Sequence, residues 1–150
     1  MLSEARTHLQ SDPVLAQLIR NYELPEIIPS TNLFANLIES IISQQLSVKA
    51  SDTIFKRLLS LLPEVWTAHD LAKLTVTELR AIGVSNSKAT YLHAAAQHFH
   101  THATELINIH NIPDEEIISH LTQIKGVGRW TAEMMLIFTF ARPDVFHLVI

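Results

Sequence analysis

The chain has 150 residues, is 47% hydrophobic and carries a formal net charge of -4, enough apolar content for the core of one domain or two small lobes. No segment approaches the roughly 18 unbroken apolar residues of a membrane span, and MLSEARTHLQSDP, with its acids, does not read as a secretory signal. Zero cysteines exclude disulfides, thiolate zinc sites and cysteine-held iron–sulfur clusters, and the acidic balance argues against a basic nucleic-acid surface.

The elements read as helices throughout. Thr31 or Asn32 caps a helix carrying Phe34, Leu37, Ile38, Ile41 and Ile42 at helical spacing. The polar SQQLS interrupts it, and Ser47 caps a second helix with a predicted stripe of Ile54, Leu58, Leu61 and Leu62 before Pro63. Thr75 and Glu78 have capping-box spacing, and the helix they open stops at Gly83. Ser85 caps the next, which runs to about His98. Pro113 and three acids open a helix that buries Ile117, Ile118, Leu121 and Ile124 and ends at Gly126. A last helix runs from Arg129 to Phe140, ahead of Pro143. No stretch alternates as a strand does. The expectation is one all-α domain over residues 1–150, with parts at 30–62, 66–103 and 113–141.

Histidines His93, His98, His100, His102 and His110 crowd one region. Only His98 and His102 share a helical face, and no carboxylate completes a ligand set, so this region reads as a surface helix end rather than a metal site.

The chain has three glycines where about ten are usual, and all three sit in the turns LRAIGVSNSKA and QIKGVGRWTAE. GVGRWT is not a dinucleotide loop, because a helix precedes it and Thr131 takes the third glycine's place. A left-handed Gly126 would end one helix, and Gly128 would let backbone approach a ligand. The N–H groups opening the next helix then form an anion site that needs no lysine surplus. A plain tight turn remains the alternative reading of these residues, as a solvated loop does for Gln44 and Gln45.

LTQIKGVGRWTAEMMLIF resembles the helix-hairpin-helix of base-excision DNA glycosylases. FANLIESIISQQLSVKASDTIFKRL and LRAIGVSNSKATYL resemble the N-terminal and middle segments of the 3-methyladenine DNA glycosylase II, or alkylpurine, branch. The likeness covers about residues 30–146. It implies two all-α lobes around a DNA-facing cleft, and hydrolysis of the N-glycosidic bond of alkylated purines in double-stranded DNA. A cytoplasmic monomer is expected, nuclear in a eukaryote, with no membrane role.

Carried over by position, Gly126, Val127 and Gly128 hold phosphate through backbone N–H groups, with Arg129 and Thr131 beside them. Gln45 is the wedge that fills the gap left by the flipped nucleotide, flanked by Gln44 and Ser47. Trp130 and Met134 fall in the base pocket. Trp130 stands where lyase-type relatives carry a Schiff-base lysine, so the resemblance implies a monofunctional enzyme. No cofactor is implied beyond a Na⁺ or K⁺ ion on the carbonyls of Thr122, Ile124 and Val127.

The resemblance places the catalytic aspartate at Ile150 or Val149, after RPDVF. HLVI is what a single-base deletion would leave of Pro-Leu-Gly-Asp-Leu. The expectation is therefore a chain cut before its catalytic Asp and C-terminal helices, impaired or inactive as an enzyme. The rivals are a non-catalytic helix-hairpin-helix DNA-binding module and a helical interaction protein with no DNA role.

Overall fold

The computed structural model describes residues 2–22, 27–106 and 109–145. Every regular element among them is helical. A pair, α1 (Leu2–Leu9) and α2 (Pro13–Asn21), comes first. Next come α3 (Leu33–Ser43), α4 (Val48–Leu59), α5 (Ala68–Lys73), α6 (Val76–Ala81) and α7 (Asn86–Thr101). After α8 (Ala103–Leu106) and a 3-10 turn (Ile109–Asn111) the hairpin follows, α9 (Asp114–Thr122) and α10 (Arg129–Phe138).

Helix starts obey local chemistry. The Asn32 side chain accepts from the Ala35 N–H, Ser47 from Ala50 and Ser85 from Lys88, each satisfying a donor that the first helical turn cannot. The expected Thr75–Glu78 capping box forms, with the Glu78 carboxylate 2.7 Å from both the N–H and the hydroxyl of Thr75. Asp70 does the same for Thr67 ahead of α5, a pair that the sequence reading passed over.

The core is built on α3, whose Leu37, Ile38, Ile41 and Ile42 are fully buried. It packs on α4 and α7. Alanines 89, 95 and 96 carry much of the buried face of α7, and their small side chains let α3 and α5 both lie against that helix. Phe34 sits at the core's edge, stacked at 5.4 Å on Trp66 and 4.9 Å on Phe99.

Several boundaries differ from expectation. Helix α4 stops at Leu59, where the Ser60 hydroxyl turns back to the Arg57 carbonyl at 2.7 Å. The helical period therefore ends: Leu58 is buried, Leu62 half-buried and Leu61 exposed rather than in the stripe. Helix α7 continues past His98 to Thr101. Helix α9 ends at Thr122, and tight turns through Ile124 and Val127 cover the distance to Gly126 and beyond. Helix α10 ends at Phe138, and Ala141 turns left-handed at φ 54°.

Candidate nucleic-acid interface

The hairpin turn depends on Gly126 twice over. Its φ is +90°, and a Cβ there would lie 2.2 Å from the Tyr91 ring of α7. Gly128 differs: its φ of -89° is ordinary, and nothing lies within 4 Å of where a Cβ would stand. The backbone at Gly128 is thus open to an approaching group. It caps α10 with no side-chain hydrogen bond, so the first-turn N–H groups of α10 point out of the helix end without a side-chain acceptor. Val127 contributes otherwise than expected, because its N–H is taken by the Ile124 carbonyl at 3.0 Å and its side chain is buried.

Arg129 is engaged within the protein. Its guanidinium meets both Glu115 oxygens, at 3.1 and 2.5 Å, and its Nε lies 2.9 Å from Glu133. The hydrogen bonds from Arg129 hold the Glu115 carboxyl below the usual glutamate range. Glu133 is buried, so the arginine also covers a carboxylate that would be costly to leave unpaired. Thr131 is buried as well, with its hydroxyl 3.4 Å from the Gln44 amide.

That amide joins the hairpin to the glutamine loop. Gln44 Nε2 donates to the Gly126 carbonyl at 3.1 Å. Gln45 then turns outward with φ +58° and an exposed side chain. A left-handed non-glycine residue costs about 1 kcal/mol or more, and such outliers gather at functional sites. The next residues recover at once, with the Leu46 N–H on the Ser43 carbonyl and Ser47 capping α4.

Between loop and hairpin lies a cleft of about 730 Å³. Trp130, Met134 and Phe138 of α10 form its apolar wall, with Asn36, Glu39 and Ser43 of α3 across from them and Gln45 and Asp52 at its edge. Trp130 is 54% exposed and Phe138 63%. Glu39, Asp52 and Phe138 had not been expected here. The first is the one charge in the otherwise uncharged α3, and Phe138 continues the four-residue spacing of Trp130 and Met134, so both left a readable signal.

Lys88 was also missed. Its ammonium donates to the carbonyls of Ile42 and Gln44 at 2.6 and 2.7 Å, and burial pushes its pKa down. The histidine-rich stretch disperses: His93 bonds the Leu74 carbonyl, His98 and His102 stack at 4.4 Å, and His110 packs on Phe140. Among the described residues no group of three or more His, Asp or Glu could hold a metal ion, and no helix is long and apolar enough to cross a membrane. Val149 and Ile150, where the resemblance puts the catalytic aspartate, lie outside the described residues.

Residues 38–149 match the model of the HhH-GPD superfamily of base excision DNA repair proteins. The chain is 33% identical to DNA-3-methyladenine glycosylase 1 of Schizosaccharomyces pombe, over 96% of this chain and 66% of that protein. It is 31% identical to the DNA-3-methyladenine glycosylase of Saccharomyces cerevisiae, over 92% of this chain and 52% of that protein. It thus spans between half and two thirds of the length of these relatives. A solved 3-methyladenine DNA glycosylase of Schizosaccharomyces pombe, in complex with abasic DNA, superposes with a TM-score of 0.81 and 32% identity, over 95% of this chain and 73% of that one.

Proposed function

The chain belongs to the HhH-GPD superfamily of base excision DNA repair proteins, and from that premise we propose that it is the DNA-gripping and base-receiving part of a monofunctional alkylpurine DNA glycosylase. The observation that carries this reading is the meeting of three features: the open Gly128 turn, the outward Gln45 and a cleft walled by Trp130.

In this reading the N–H groups at Gly128 and the start of α10 take a phosphate, using peptide dipoles in a chain of net charge -4. Gly126 and Val127 shape that turn, and Arg129 and Thr131 hold its second helix in place. Gln45 enters the duplex as the nucleotide swings out, with Gln44 and Ser47 fixing the loop ends. The base enters the cleft against Trp130, Met134 and Phe138. An N3-alkylated purine is cationic, and the negative faces of aromatic rings favour it. The base leaves first with the electrons of the N-glycosidic bond, a carboxylate stabilises the positive sugar that remains, and water then adds to the sugar carbon and gives up a proton. Trp130 has no amine, so no Schiff base forms at that position.

A Na⁺ or K⁺ ion fits the hairpin's carbonyls by donor chemistry. The Ile124 oxygen accepts one hydrogen bond, from Val127, and keeps a second lone pair. The Thr122 hydroxyl turns back to Ile118, so Thr122 offers its carbonyl alone. A cation held by such neutral oxygens would tie the turn together and add positive potential beneath the phosphate. The proposal is completed by a monomer acting on alkylated double-stranded DNA in the cytoplasm, or in the nucleus of a eukaryote.

The experiment is release of 3-methyladenine from methylated duplex by this chain, with binding to the same duplex measured at one salt concentration. Binding with release supports the glycosylase reading. Binding without release, with a preference for an abasic duplex that Gln45→Ala abolishes, keeps the base-receiving reading for a chain impaired in catalysis, whereas binding without that preference replaces it with a non-catalytic module. Absence of binding removes both.

A further inference from the structure

We propose that Lys88 is the positioning residue of the Gln45 loop, holding from the start of α7 the backbone that aims the wedge. The inference rests on the wedge role proposed above for Gln45. Its basis is a set of contacts that local preference would not produce.

Lys88 lies in the first turn of α7, three residues past the cap Ser85. A cation there faces the positive end of the helix dipole, so the position is unfavourable for the helix that carries it. Its half-buried ammonium has also lost water, and among the described residues no carboxylate pairs with it. Both costs are offset across the interface. Ile42 lies in the last turn of α3, where carbonyls have no helical partner, and its oxygen is 2.6 Å from the Lys88 Nζ. The Gln44 oxygen, at 2.7 Å, is the second acceptor.

The Gln44 carbonyl belongs to the peptide plane that leads into Gln45. Fixing that oxygen fixes the plane from which Gln45 departs at its left-handed φ of +58°, and so narrows where its exposed side chain can turn. Packing gives the loop little other support on this side. A cavity of about 70 Å³ lies there, bounded by Leu46, Ile54, Gly83 and Lys88. The loop is therefore held by the Lys88 ammonium from one side and by the Gln44 amide on Gly126 from the other. Both contacts are made within the protein. Together they set where Gln45 points before DNA arrives, which lowers the ordering cost at insertion.

The test uses the whole chain and its variants Lys88→Met, Lys88→Arg and Gln45→Ala, with two probes. One is a duplex with a tetrahydrofuran abasic site facing a fluorescent adenine analogue, and the other is its undamaged counterpart. Lys88→Met should lose about tenfold of the preference for the abasic duplex, the effect of removing a charged hydrogen bond. It should bind undamaged duplex as the parent does and show a smaller fluorescence rise on binding. Lys88→Arg, which also donates to two carbonyls, should recover preference and fluorescence. If Lys88→Met keeps both while Gln45→Ala loses them, Lys88 does not aim the wedge. Equal loss on both duplexes with a lowered unfolding midpoint makes it a plain structural lysine and also overturns the inference. If Gln45→Ala itself keeps preference and fluorescence, the wedge reading fails and the inference goes with it.

Discussion

The side-chain amide of Gln44 donates a 3.1 Å hydrogen bond to the carbonyl of Gly126, 82 positions further along the chain. It also approaches the buried hydroxyl of Thr131 at 3.4 Å. One residue thus ties the glutamine loop to the hairpin turn. Gln44→Ala should destabilise the fold by about 1 kcal/mol, the usual net worth of such a bond. Gln44→Glu should cost more, since it sets a carboxylate against a carbonyl. Urea unfolding of the two variants checks the order. Equal stability of Gln44→Glu and the parent would contradict it.

The hairpin's two glycines should separate cleanly. Gly126→Ala meets both a φ of +90° and the Tyr91 ring at 2.2 Å, and should cost about 2 kcal/mol or more. Gly128→Ala enters open space at an ordinary φ and should stay within about 0.5 kcal/mol of the parent. Gly128→Asp should also fold, yet bind duplex more weakly, because its charge and bulk stand where a phosphate would approach. Unchanged affinity at fixed salt would remove the phosphate role from this turn.

How far the sequence revealed this arrangement depended on how local each cause was. Asn32, Ser47, Ser85 and the Thr75–Glu78 pair act within a turn of themselves, and all cap as expected. Gly126 was readable as left-handed, but its contact with Tyr91 joins distant positions and leaves no local mark. Lys88 was hidden for the same reason, although a lysine in a first helical turn is a small anomaly. Leu61 was misplaced because periodicity cannot show where Ser60 ends the helix. The partners of Arg129 are split between near and far: Glu133 lies one turn on, while Glu115 comes from the neighbouring helix.

Acid should weaken this fold through three carboxylates. Thr75 hydrogen bonds hold Glu78 below its ordinary pKa, Thr67 does so for Asp70, and Arg129 for Glu115. A depressed folded pKa means that the stabilisation is fully present above the unfolded value, about 4 for these groups. It is lost as pH falls through the folded value. Unfolding midpoints should therefore stay flat from neutral pH down to that range and fall below it. Glu78→Gln should make the acid limb shallower, and a slope identical to the parent's would rule out this contribution.

Trp130 gives the test that best separates function from folding. Its ring is 54% exposed on the cleft wall, so truncation removes little buried surface, and Trp130→Ala should unfold close to the parent. Trp66 differs, being half-buried and stacked on Phe34, so Trp66→Ala should be clearly destabilised. Stacking of a base on an aromatic ring is worth about 1–3 kcal/mol, which corresponds to roughly five- to 140-fold in affinity. Trp130→Ala should lose base engagement on that scale while keeping its grip on undamaged duplex, because the proposed phosphate site lies at Gly128. The measurements are urea unfolding, binding to both duplexes and 3-methyladenine release for the two tryptophan variants. If Trp130→Ala matched the parent in engaging methylated DNA, the ring would be a bystander and the base would have to stack elsewhere in the cleft.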